Sequence, residues 1–148
     1  MQIRNLQRPD LDIHYFKLLN ELSPSLNVDL TEWYKDKIDK NFDKLWNDFI
    51  DNDSYHIVVA SSGSHIVGTA SLLTEQKISG KFAGHIEDVV VLRSHRGAGI
   101  GSLLIKNLIK TAKQQKCYKV ILNCSDKNVP FYKKLGFLKR DNGMKKEL

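Results

Sequence analysis

The chain has 148 residues, 41% apolar and 27% charged, with three prolines and nine glycines. That profile fits one globular domain over residues 1–148 and excludes collagen-like, low-complexity and disulfide-scaffold classes. The net charge of +6 points to an acidic partner: nucleic acid, an anionic membrane or a phosphorylated small molecule.

Ile3 to Leu6 is a candidate first strand. Pro9-Asp10 is expected to open a helix, because Leu11, Tyr15, Leu18, Leu19 and Leu22 fall on one face, and Ser23-Pro24-Ser25 ends it. A second helix is expected from Thr31, with Tyr34, Ile38, Phe42, Leu45 and Phe49 recurring every three or four residues. The pattern then turns to strands. Tyr55 to Ala60 and His65 to Thr74 flank the hairpin signal Ser61-Ser62-Gly63-Ser64, a polar loop follows from Glu75 to Gly84, and His85 to Leu92 is a third strand of this run. Ile100 to Lys113 is a strongly amphipathic helix. Tyr118 to Cys124 reads as a strand too continuous in apolar residues to lie at an exposed edge. Asn128 is placed to cap a short helix carrying Phe131, Tyr132 and Leu135 that ends at Gly136. Phe137-Leu138 and Met144 to Leu148 are read as a last pair of strands. The resulting order, βααβββαβαββ, is a mixed α/β (α+β) domain.

No window approaches ~18 consecutive apolar residues, so no spanning helix is expected. Met1-Gln2-Ile3-Arg4-Asn5 lacks the apolar run of a secretory signal, and a cytoplasmic location is expected. Cys117 and Cys124 flank one extended run, which would hold them more than ~20 Å apart and unable to bridge. The five histidines show no ligand spacing, so no metal is expected.

The chemistry concentrates in Val89 to Ser102, where a strand ends, a basic Gly-rich turn follows and a helix begins. The helix start offers unpaired N–H groups and a partial positive charge. Gly97, Gly99 and Gly101 let backbone approach a ligand and adopt positive φ, and Arg96 stands at the entrance. Together these form an anion cradle suited to a pyrophosphate. The Gly-Lys-Ser/Thr ending of a P-loop is missing.

Arg96-Gly97-Ala98-Gly99-Ile100-Gly101 resembles the Arg/Gln-x-x-Gly-x-Gly/Ala turn of the GNAT acyltransferase superfamily. Asn128…Phe131-Tyr132…Gly136-Phe137 is similar to that superfamily's Asn-x-x-x-Phe/Tyr-Tyr-x-x-x-Gly-Phe segment. A narrower resemblance, to eukaryotic glucosamine 6-phosphate N-acetyltransferases, lies in Gly84 to Val91, Cys117 to Leu122 and Asn128 to Lys134. The resemblance implies a mixed, mostly antiparallel sheet flanked by helices, acetyl-CoA as co-substrate, and a homodimer with sites built across its interface. It implies that Arg96, Gly97, Ala98, Gly99, Ile100, Gly101 and Ser102 hold the pyrophosphate. Backbone of Val89, Val90 and Val91 would pair with the pantetheine arm, and Asn128 would reach CoA.

Acetyl transfer to an amine needs a proton acceptor, oxyanion stabilisation and a group that protonates the leaving thiolate. Glu87 is the candidate acceptor, acting through water, and Tyr132 the candidate acid beside the sulfur. Asp88 and Val89 are expected to line the sugar. Asn123 stands where the sugar-phosphate family usually carries Asp or Glu. Its amide orients an amine through oxygen but takes no proton. Glu147 stands where that family places an Arg, so Lys145 or Lys146 would serve the phosphate. Ser23, Lys77, Tyr118 and Lys119 complete the expected acceptor wall. Three rivals remain open at this point: a GNAT enzyme for another amine (a polyamine or a protein N-terminus), a basic nucleic-acid-binding module, and a CoA-binding sensor. The polyamine enzyme would need several acids in its acceptor wall. The nucleic-acid module would show steep salt dependence and have no use for Glu87 or Tyr132.

Overall fold

A computed structural model describes residues 1–22, 29, 31, 32, 35, 42–146 and 148. Ser23, Tyr34, Ile38 and Glu147 lie outside the described residues. Strand β1 spans Gln2–Asn5. Pro9 sits in a 3-10 turn, Arg8–Asp10, and helix α1 starts later, at Ile13–Leu19. The delay has a local cause. The Asp10 carboxylate is taken by Arg4, through two bonds of 2.6 and 2.7 Å, and by the Gln7 N–H. Asp12 caps α1 instead, accepting from the N–H groups of His14 and Tyr15. Helix α2 covers Phe42–Ile50.

Strands β2 (Tyr55–Ser62) and β3 (His65–Gln76) form the expected hairpin, turning at Gly63 with φ +62°. β3 runs past the expected end. Glu75 pairs with Ala83 and Gln76 with Phe82, so β4 is Phe82–Val91 and only 77–81 remains a loop. The β3 part of that extension, Glu75 and Gln76, is polar, and the β4 part, Phe82 to Gly84, ends in two small residues, so neither part shows a strand's apolar alternation. Helix α3 is Ile100–Gln114, β5 is Cys117–Ile121 and helix α4 is Val129–Lys133.

The sheet order is β1-β2-β3-β4-β5, antiparallel except for the parallel β4–β5 pair. The sheet is thus mixed and mostly antiparallel with flanking helices, as expected. β5 is an edge strand, which corrects the buried reading: Tyr118 is 54% and Ile121 41% exposed. Its apolar run serves two different surroundings, since Cys117 and Val120 pack on the α3 core while Tyr118 and Ile121 face outward. The expected final strand pair does not form among the described residues, and Phe137 to Lys146 carries no strand.

Two cores sandwich the sheet. Val58, Ala60, Val67, Ala70, Leu72 and Ile86 pack under α3. Val59, Ile66 and Val90 pack under α1 with Leu11, Tyr15, Phe16 and Leu18. The split follows the period-two alternation of strand side chains.

Candidate active site

β4 has two unlike halves. From Phe82 to His85 it is hydrogen-bonded to β3 on one edge and β5 on the other, with His85 opposite Ile121 as the last parallel pair. From Glu87 to Val91 it pairs with β3 alone. The divergence leaves Val89 to Val91 without a strand partner on the β5 side, where an extended amide chain can pair with the backbone groups not already taken within the protein, the Val91 carbonyl being held by Arg96.

A bulge marks the change. Thr69 opposes Val90 and Ser71 opposes Glu87, so Ala70 faces both Asp88 and Val89. Asp88 takes φ +52°, a left-handed conformation costing ~1–2 kcal/mol for a residue with a Cβ and least unfavourable for Asp and Asn. Without the bulge, alternation would drive Asp88 under α3. With it, Glu87 and Asp88 are both exposed, while Val89 and Val91 return to the α3 core. Ser71 donates to the Glu87 carbonyl at 3.1 Å, and the Tyr55 hydroxyl reaches the Asp88 carboxylate at 3.4 Å.

The Gly-rich turn follows β4 after one 3-10 turn, Arg93–His95. Gly97 (φ +82°) and Gly99 (φ +78°) have the expected left-handed backbone, and Gly99 opens α3 with no side-chain cap. Gly101 differs from the expectation. It is not at positive φ, and a Cβ there would meet the Phe131 ring at 3.3 Å. Its small size seats α4 against α3. Ala98 is exposed and the Ile100 side chain is buried, so Ile100 offers only backbone. Arg96 is engaged within the protein: Nε donates to the Val91 carbonyl at 2.8 Å and Nη2 to Glu21 at 3.0 Å. It braces the turn against the end of β4.

Tyr132 is 8% exposed, packed edge-on to Phe131 and Phe137. Burial pushes its phenol above the ordinary value, and a charge on Cys124 would push it the same way. The group is therefore a neutral donor, and its hydroxyl makes no hydrogen bond among the described residues. Asn128 precedes α4, but its side chain makes no cap bond and its backbone is helical, closing the 3-10 turn Asp126–Asn128. The capping expectation fails there, and the exposed amide remains available. Asn123 lies just past β5, with Oδ1 3.1 Å from where a Gly143 Cβ would stand. The C-terminal segment therefore passes the open end of the β4–β5 cleft.

Other acceptor-wall residues lie apart from the acid pair. Lys119 pairs with Ala83, four residues upstream of Glu87 on β4, and stacks over Tyr118 at 5.3 Å. Lys77 is held by Glu75 at 2.6 Å. Lys146 is exposed near the C-terminus. Among the described residues no cluster suits a metal, and no helix is long and apolar enough to cross a membrane.

Tyr55, Ser71 and Glu21 were missed from sequence. The signal for the second was present, since Ser71 interrupts an apolar strand on the same face as Thr69. A cavity of about 300 Å³ between α1, α2 and the sheet has Tyr15, Tyr55, Thr69, Ser71 and Asp88 in its wall.

The acetyltransferase (GNAT) family model matches residues 18–137. The chain is 34% identical over 146 residues to the glucosamine 6-phosphate N-acetyltransferase of Candida albicans, covering 95% of this chain and 90% of that protein. It is 49% identical over 85 residues to the enzyme of that name from Trypanosoma brucei brucei, covering 56% of this chain and 58% of that protein. The crystal structure of glucosamine-6-phosphate N-acetyltransferase from Arabidopsis thaliana superposes with a TM-score of 0.84 at 31% identity, covering 99% of this chain and 97% of that one.

Proposed function

The chain belongs to the acetyltransferase (GNAT) family, and on that premise we propose that it moves the acetyl group of acetyl-CoA to the 2-amino group of glucosamine 6-phosphate, a step toward UDP-N-acetylglucosamine. The observation that carries this reading is the half-open β4, which ends in a glycine turn and an α-helix N-terminus. These residues fit the co-substrate: N–H groups at the start of α3 suit a pyrophosphate, and the edge of Val89 to Val91, which has no strand partner on the β5 side, suits the amides of a pantetheine arm. When bound, acetyl-CoA supplies an activated acyl carbon and a thiolate leaving group.

The chain's own residues then divide the work. Tyr132 donates its phenolic proton to the departing sulfur; burial keeps the phenol protonated, and its hydroxyl has no hydrogen-bond partner among the described residues to compete for that proton. Glu87 takes the amine proton through water. Asp88 and Val89 orient the sugar, and Asn123 accepts a hydrogen bond from the amine. The lysines at 145 and 146 serve the phosphate from the partner subunit of a homodimer. Two features support the dimer: β5 presents an unpaired edge, and the C-terminal segment forms no strand among the described residues.

Acetyl-CoA consumption across a panel of amines tests the acceptor, with glucosamine and its 6-phosphate side by side. The 6-phosphate is expected to give the highest kcat/KM. A polyamine or peptide N-terminus in first place overturns the reading. Sedimentation is expected to show a dimer, and a fully active monomer removes the shared site.

A further inference from the structure

We propose that Tyr55 and Ser71 are positioning residues that pin the β4 bulge and thereby set where Glu87 and Asp88 stand against the acetyl donor. Neither residue touches the reacting atoms in the function proposed above, and the proposal rests on that reading for its catalytic consequence alone.

The argument begins with what a bulge needs. Two residues opposing one disrupt the ladder, and the extra residue has no regular partner. Here that residue is Asp88, held at φ +52° despite its Cβ. A conformation of this kind persists where its surroundings over-determine it. Two hydroxyls do so from the same face of the sheet. Ile57 is register partner to Ser71, and Tyr55 lies two residues before Ile57, so Tyr55 and Ser71 are diagonal neighbours on β2 and β3. Ser71, 2% exposed, ties the Glu87 carbonyl. Tyr55 ties the Asp88 side chain itself. The shorter bond to backbone holds the strand, and the longer one orients the carboxylate.

The Tyr55 ring is itself held. It stacks on Phe49 of α2, centroids 5.7 Å apart at 26°. Burial and the Asp88 charge keep its phenol protonated and able to donate. The chain thus links α2, β2 and β3 to the one residue that breaks the alternation of β4. The cavity beside it leaves room for the bulge to relax once a hydroxyl is removed.

Tyr55→Phe and Ser71→Ala test this with three readouts: kcat on the best acceptor of the panel, acetyl-CoA Kd by calorimetry, and backbone amide shifts of the free protein. Each variant is expected to lower kcat by ~10–10²-fold, the scale of a small misplacement, with acetyl-CoA Kd within about twofold. The amides of Glu87 to Val89 are expected to move while those of β1 stay. In an Asp88→Gly background, where glycine accepts positive φ unaided, Tyr55→Phe is expected to add no further loss. Wild-type kcat, unmoved amides, or an equal loss in the Asp88→Gly background would each overturn the proposal. Moved amides and a lowered kcat on some other amine, with no turnover of glucosamine 6-phosphate, uphold the pinning and sink the acceptor assignment instead.

Discussion

The two halves of β4 share one strand and differ in what their second edge meets. The half from Phe82 to His85 is zipped into β5, and Gly84 lies so close to its neighbours that a Cβ would stand 3.0 Å from Leu72 and 3.4 Å from Val120. The half from Glu87 to Val91 has lost that neighbour, carries the bulge, and runs into a turn where a Cβ on Gly97 or Gly99 meets nothing within 4 Å. Polar backbone without a partner is costly when buried, so a free edge facing a cleft is a place for a ligand. The lesson is that the candidate site is made by stopping a sheet partway along one strand.

Substitutions sharpen the contrast. The largest effect is expected on the open side: Tyr132→Phe should lower kcat by ~10²–10⁴-fold, the range for a positioned acid, with acetyl-CoA KM nearly unchanged because the bond strengthens as thiolate charge develops. Steady-state kinetics reads both parameters, and an unchanged kcat removes Tyr132 from the chemistry. On the zipped side, Gly84→Val should overpack the core and cost ~1–3 kcal/mol of stability. Denaturant unfolding measures that loss, and calorimetry on the folded fraction should find wild-type acetyl-CoA affinity. Loss of affinity there would break the distinction between the halves.

Gly99→Val has the reverse signature. The φ of +78° strains any residue with a Cβ by ~1–2 kcal/mol of stability, and the added side chain blocks backbone approach to the pyrophosphate, so acetyl-CoA binding should weaken by roughly tenfold or more with the core intact. The smallest effect lies at His56, level with Leu72 and Ile86 across the sheet. Burial holds its imidazole below the ordinary value, against an opposing push from Asp53, and Nε2 is buried with no hydrogen bond among the described residues. The unfolded chain therefore binds the proton more readily. The contribution is complete above the unfolded value of ~6.5 and is lost as pH falls from there through the depressed folded value. His56→Leu should change neutral-pH stability by less than ~1 kcal/mol and flatten the fall in Tm between pH of about 7.5 and about 5.5. An unaltered slope assigns the acid sensitivity elsewhere.

Sequence by itself determined the features that rest on local chemistry. The turn Arg96 to Ser102, the amphipathic α3 and the hairpin at Gly63 were legible because glycine, helical period and turn composition act over a few residues. The acid pair was legible because two carboxylates inside an apolar strand demand a reason. Tertiary structure decided what depends on neighbours distant in sequence. Whether β5 is central or at the edge follows from which strands pair, and its apolar run is compatible with either. The start of α1 was settled by Arg4 claiming Asp10, leaving Asp12 to cap. The role of Gly101 was set by Phe131, thirty residues on. Tyr55 and Ser71 read as ordinary strand residues until folding carried their hydroxyls to the bulge. A residue's intrinsic preference is written in its own side chain, whereas its partner is chosen by packing the whole chain into one core.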